Sequence, residues 1–184
     1  RTRQNSDPLE EVAPDLRKAL LAEENASALS HENEFVYGVE KGEILNIHIQ
    51  NEKGQETKVL VSGELFTIRF LVNAHNLITD PIYAVTIRDI KGQEVYGQNS
   101  LFARVPTEDL KVGNAVEVVF RQACNLGAGD YLISFGLTRF EGNTLKVIHR
   151  RYDALQIKVT NTDGSFGIAN CFSSIEWNYI DGSH

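Results

Sequence analysis

From Glu34 onward, apolar residues alternate with polar ones in short runs cut by Gly-containing turns, with no helical stretch between them. That period of two is the pattern of half-buried strands. EILNIHIQ, Glu43 to Gln50, alternates, and NEKGQE supplies a turn after it. Phe66, Ile68, Phe70 and Val72 lie on one side of the next strand, Thr67, Arg69 and Leu71 on the other. Strands are expected near Val116–Gln122 and Tyr131–Thr138, separated by the turn signal NLGAGD. Two more follow at Leu145–Tyr152 and Leu155–Thr160, then a last apolar stretch from Gly167 to Ile180. Regularly spaced short strands with Gly-rich turns predict an all-β chain folded as an antiparallel β-sandwich.

VTIRDIKGQEVYGQNS, Val85 to Ser100, reads as a hairpin, and its register decides which residues face out. A two-residue Lys91-Gly92 loop would set Arg88 opposite Val95, placing a charge and an aliphatic side chain on one face. A three-residue loop, Ile90-Lys91-Gly92 with Gly92 left-handed, sets Ile87 opposite Val95 and Thr86 opposite Tyr96. The buried face fixes register, so the second is expected. Val85, Ile87 and Val95 then point inward, and the outer face presents Ala84, Thr86, Arg88, Glu94, Tyr96 and Gln98.

Residues 1–33 differ in character. They are rich in Glu and Ala, with Leu9, Val12, Leu16, Leu20 and Leu21 in a loose helical rhythm broken at Pro14. Asp15 to about Leu29 suits one helix, and the region as a whole reads as a helical or extended tether to an N-terminal partner. The sandwich domain is expected over 34–180. The chain has 184 residues, enough to bury a sizeable core, and a formal charge of -7. An acidic balance argues against a nucleic-acid binder, which carries a basic footprint. No apolar run approaches the ~20 residues that span a bilayer, and RTRQNSDPLEE is no signal peptide. The two cysteines, Cys124 and Cys171, match no metal motif; free thiols in a reducing compartment are expected.

Catalytic motifs are not evident. The phosphate loop G-x-x-x-x-G-K-[ST], the G-x-G-x-x-G turn and the G-x-S-x-G elbow are all missing. His31, His48, His75, His149 and His184 are scattered, and no cofactor is expected. His48 reads as an exposed or half-buried strand residue. His149 opens HRRY, the dense basic spot of the strand region, read either as a solvated strand end or as an anion-binding lip. Cys124 has no evident base beside it, so a structural thiol is expected. The acidic pairs of the tether read as a solvated helix face.

Tyr37-Gly38, Glu43-Ile44, Gly54 and Ser62-Gly63-Glu64 stand in order before the hairpin. AGDYLISFGL (Ala128–Leu137), YDAL (Tyr152–Leu155) and Gly167 follow it. In that order and spacing, Phe35 to Ile180 resembles the C-terminal carbohydrate-recognition domain of Wzt-type ATPases, subunits of ABC transporters that export bacterial O-antigen polysaccharide. The resemblance implies a sandwich of jelly-roll or immunoglobulin-like type that recognises the finished, modified non-reducing end of a lipid-linked glycan. It also implies an ATPase domain ahead of this one, which accounts for the absent initiator Met and for the tether. A membrane subunit, a homodimer and a cytoplasmic place at the inner face of the inner membrane follow from the same resemblance. No enzyme activity is expected of this domain.

A sugar offers apolar C–H faces ringed by hydroxyls, so its site needs an aromatic platform and planar hydrogen-bonding side chains. On the expected outer face, Tyr96 is the platform, with Thr86, Arg88 and Gln98 around it. Arg69 and Arg121 join if their strands lie in the same sheet. Arg88 is the first choice to hold an acidic cap through two parallel hydrogen bonds. The competing reading is an ordinary solvated sheet face. Two other functions stay open: an adhesin-like or structural sandwich that binds through a sheet edge, with Trp177 and Tyr179 as anchors of an exchanged strand, and a sandwich-fold glycoside hydrolase or lyase.

Overall fold

The computed structural model describes residues 32–38 and 41–176. The helix expected at Asp15–Leu29, nearly all of the tether, and Trp177 to Ile180 lie outside the described residues. Nine strands follow in order. They are β1 (Phe35–Tyr37), β2 (Gly42–Gln50), β3 (Val59–Val61), β4 (Leu65–Ala74), β5 (Ile82–Asp89), β6 (Glu94–Asn99), β7 (Ala115–Ala123), β8 (Gly129–Glu141) and β9 (Thr144–Thr160). The larger sheet runs β1-β9-β8-β5-β6 with β3 also on β9, and the smaller runs β2-β4-β7. All pairings are antiparallel except β3 with β9, which is parallel.

Alternation builds the core as expected. Ile44 and Ile49 of β2 and Phe66, Ile68, Phe70 and Val72 of β4 face Val85 and Ile87 of β5 and Ile133, Phe135 and Leu137 of β8. Burying each such side chain is worth about 1.5–3 kcal/mol. Phe70 packs edge-on against Phe135 at 5.3 Å between ring centres, pinning one sheet to the other. β8 is central in its sheet and buried on both faces, Ser134 and Thr138 included.

Two expectations about strand limits are corrected. YDAL does not separate two strands. β9 runs unbroken through it, with a bulge opposite Ile133–Phe135 and Asp153 in the left-handed region at φ 55°. The last apolar stretch is not a strand where it is described. It is held by one isolated bridge, Leu126 to Ala169, and by backbone bonds from Gly127 to Ile168 and from Asn170 to Asn125.

The hairpin follows expectation at its tip and departs from it one step later. The N–H of Asp89 donates to the carbonyl of Gln93, and Gly92 adopts φ 92°, so the three-residue loop is present. Arg88 sits opposite Glu94. A bulge then intervenes, and Ile87 pairs with Tyr96 and Val85 with Gln98. A bulge sets two residues against one. Here the extra residue is Val95. It still packs against the core, but every side chain beyond it has changed face.

Candidate functional site

The two long seams of the sandwich are not alike. Along the β2–β9 seam, two side chains of β9 bond the backbone of Ile44 on the free edge of β2. The backbone N–H of Ile44 donates to Nδ1 of His149 at 2.7 Å. The carbonyl of Ile44 accepts from Nη1 of Arg151 at 3.2 Å, and Arg151 is in turn ion-paired with Glu34. HRRY is therefore neither a solvated end nor an anion-binding lip. His149 and Arg151 turn inward, while Arg150 lies on the outer face, its guanidinium 5.2 Å from the centre of the Tyr152 ring. Burial, then the nearby charge of Arg151, pushes the pKa of His149 down to about 4, so the imidazole is neutral and its Nδ1 can accept.

The β6–β7 seam is open. Between these strands lies a cleft of about 790 Å³, closed at one end by the loop that follows β6. This is the size range of small-ligand sites. Tyr96 and Gln98 form one wall, Phe120 and Gln122 the other, and Tyr83 lies between them. Val116, Val118 and Phe120 pack against the core by their inner faces, and Gln122 continues their inward register. The amide oxygen of Gln98 accepts from the N–H of Asn99 at 3.0 Å, which leaves its NH2 group for the cleft. Burial raises the Tyr83 pKa to about 12; its hydroxyl stays a donor across the physiological range. Tyr96 and Gln122 also line a second hollow of about 390 Å³, together with Phe66, Ile87, Val95, Ala123, Cys124, Asn125, Leu126, Ile168 and Ala169.

The four residues expected on one face, and the two that were to join them if their strands shared the sheet, are distributed over three places. Tyr96 and Gln98 are in the cleft because the Val95 bulge turns them toward Ile87 and Val85. Thr86 and Arg88 remain on the outer face of the larger sheet, where Arg88 makes a two-pronged ion pair with Asp153 (Nε to Oδ1 2.7 Å). Arg69 and Arg121 belong to the other sheet and face outward from it. There Arg69 reaches Glu117 at 3.1 Å and Gln50 at 3.3 Å. His48 is a half-buried strand residue beside Glu56. Both cysteines are free thiols, Cys124 buried and Cys171 exposed. Among the described residues no group of His, Cys, Asp and Glu side chains could hold a metal, and no helix is long and apolar enough to cross a membrane.

Tyr83, Phe120 and Gln122 were not anticipated. The signal for Gln122 is present in VEVVFRQ, where a polar amide extends the inward row Val116, Val118, Phe120.

The profile of the Wzt C-terminal domain family matches residues 33–171. This chain belongs to that family. A crystal structure of the C-terminal domain of Wzt superposes with TM-score 0.74 at 24% identity, covering 81% of this chain and 91% of that one, so the fold is shared. The CARDB domain of PF1109 from Pyrococcus furiosus, in complex with di-metal ions, matches at TM-score 0.40 and 13% identity over 67% of this chain and 93% of that one. A β-glucosidase from Listeria innocua in complex with glucose matches at TM-score 0.37 and 11% identity over 69% of this chain and 16% of that one. Both are too distant in shape to bear on the site. No curated protein matches the chain.

Proposed function

We propose that this Wzt C-terminal domain is a non-catalytic module that binds the modified non-reducing end of a lipid-linked O-antigen polysaccharide, and that binding licenses export by an ABC transporter. The observation that carries the reading, within the family, is the open seam. It sets Tyr96 and Phe120 as apolar platforms beside the amides of Gln98 and Gln122, which is the pairing a sugar ring requires. In this reading the domain follows an ATPase domain, works beside a membrane subunit at the cytoplasmic face of the inner membrane, and acts as a homodimer.

Calorimetric titration with the capped and uncapped polysaccharide of the encoding bacterium tests it. Heat of binding from the capped polymer, lost in Tyr96→Ala, is the expected result. The same silence from both polymers would refute the reading.

One observation favours a protein-interaction role instead. The tail after β9 exposes Phe166 and Ile175 almost fully, at 96% and 90%. Pull-down of a protein partner that is lost when both are replaced by Ser is the test of that alternative.

A further inference from the structure

We propose that the tip of the β8–β9 hairpin and the start of β2 form a separate site, which takes a phosphate ester. It shares no lining residue with the cleft between β6 and β7 and stands independently of the glycan reading.

Topology sets the hairpin tip apart. β5 begins at Ile82, opposite Thr138, and β1 ends at Tyr37, opposite Arg150. Among the described residues, the strand residues at 139–146 therefore pair only with one another. Alternation gives this tip one face with Arg139, Glu141 and Lys146 and another with Phe140 and Leu145, both exposed. The charged face borders a hollow of about 600 Å³ that Tyr37, Gly38 and Lys41 line from the other side.

Charge makes the hollow a site. Arg139 lies directly opposite Lys146, and like charges so placed repel. Lys41 adds a third cation, 3.6 Å from Glu141. Among the described lining residues Glu141 is the one carboxylate. The hydrogen bond from Arg139, then the charges of Arg139, Lys41 and Lys146, hold its carboxyl below the usual range. Three cations thus converge on one oxyanion position, and a single carboxylate leaves them in excess. Arg139 is anchored by its bond to Thr79 at 3.0 Å, yet its Nε is buried with no hydrogen-bond partner among the described residues. A buried donor left unanswered is costly, and so is this excess of positive charge in a chain of net charge -7 with acidic groups to spare. A phosphate monoester brings about two negative charges and three acceptor oxygens, which suits one guanidinium and two ammonium groups. Glu141 is exposed, so its carboxylate can turn to water as the phosphate takes its place.

The test follows amide NMR shifts of the 184-residue chain at constant ionic strength as inorganic phosphate, and then a sugar phosphate, is added. Saturating shifts confined to Lys41 and the hairpin tip are expected. Replacing the two exposed lysines together, Lys41→Gln with Lys146→Gln, should weaken binding at least about tenfold and barely move the unfolding midpoint. Glu141→Gln, which removes the competing carboxylate, should strengthen binding about threefold to tenfold. Co-sedimentation with phosphatidylcholine vesicles doped with phosphatidic acid identifies the source of the phosphate. Sedimentation lost in Phe140→Ser with Leu145→Ser, while inorganic phosphate still binds, assigns it to a lipid headgroup. No sedimentation beside full sugar-phosphate binding assigns it to a soluble ester. Absence of shifts at the hairpin tip, in the native chain and in Glu141→Gln alike, would overturn the proposal and leave a closed ion network. Shifts that survive the loss of both lysines would overturn it too.

Discussion

The Nδ1 atom of His149 accepts the backbone N–H of Ile44 across the interior of the sandwich, 2.7 Å away and 105 residues earlier in the chain. An edge strand with unanswered N–H and C=O groups is a liability, and here a side chain of the opposite sheet answers it. The bond exists only while the imidazole is neutral. In the unfolded chain His149 titrates near its ordinary 6.5, in the fold near 4. Above the unfolded value neither state binds the proton, and the stabilisation is complete. As pH falls from 6.5 toward 4 the unfolded state takes up a proton that the fold refuses, so stability drops. Below about 4 both are protonated and the loss levels off. At about 1.4 kcal/mol per unit the full effect is near ~3 kcal/mol. Urea midpoints measured across that window should fall more steeply for the native chain than for His149→Gln, whose amide oxygen accepts the same N–H without titrating.

Arg88→Ala is expected to weaken the fold by roughly 1–2 kcal/mol and to leave glycan affinity within about twofold. Its guanidinium grips Asp153, which sits at φ 55° in the β9 bulge with its own N–H donated to Oγ of Ser134 at 2.9 Å. Removing the partner leaves a carboxylate of only 15% exposure unpaired beside a strained backbone. Thermal unfolding and titration measured on the same variant separate the two effects. A large loss of affinity with unchanged stability would place the ligand on the outer face.

Most of the fold could be read from period-two alternation, because burial of Phe66, Ile68, Phe70 and Val72 against Val85 and Ile87 follows from spacing alone. The loop of the hairpin was readable for the same local reason: Gly92 alone there takes φ 92° at no steric cost. The face of Tyr96 was not readable. It depends on the bulge at Val95, and Val85, Ile87 and Val95 pack inward whether or not that bulge follows the three-residue loop. Nor does spacing reveal which strands share a sheet, so Arg69 and Arg121 could not be assigned. His149 was read as surface because HRRY is polar, yet alternation within β9 sends it and Arg151 inward to an edge 105 residues away. The resemblance of the ordered fragments to the Wzt C-terminal domain gave the family, and the matched profile shows it.

Thiol labelling should distinguish the cysteines. Cys171 is exposed, whereas Cys124 is buried and its pKa is raised chiefly by that burial. The thiolate is the reactive species. A colorimetric disulfide reagent at pH 8 should therefore release about one equivalent per folded chain and about two after denaturation. Cys171→Ser should abolish the first phase. Rapid release of both equivalents would mean that the core around Cys124 is open.

Gly127→Ala should detach the tail that follows β9. A Cβ added at Gly127 would lie 1.8 Å from the carbonyl oxygen of Gly167, a backbone atom that cannot step aside cheaply. The Gly127 N–H donates to the carbonyl of Ile168 at 2.7 Å and so holds the tail, while its own carbonyl accepts from the hydroxyl of Tyr131 on β8 at 2.9 Å. The expected cost is about 1–3 kcal/mol. Limited proteolysis should show faster cutting within residues 161–171 while the strands remain protected.

Tyr96 and Gln122 stand on opposite walls of the cleft, one on β6 and one on β7. If a sugar ring lies between them, each contributes to the same bound ligand while touching it from a different sheet. Tyr96 is 38% exposed and Gln122 half-buried, so neither anchors the core. Tyr96→Ala should lower glycan affinity by about tenfold or more through loss of the aromatic face. Gln122→Ala should lower it by about threefold to tenfold through loss of a hydrogen bond. Unfolding midpoints should move little in either. The double variant should lose less than the product of the two single losses, because a ring freed from one wall can no longer be held in register with the other. Strict multiplicativity, or a loss confined to one wall, would mean that the ligand does not bridge the sheets. Calorimetry of the four proteins against one polysaccharide preparation decides between these outcomes.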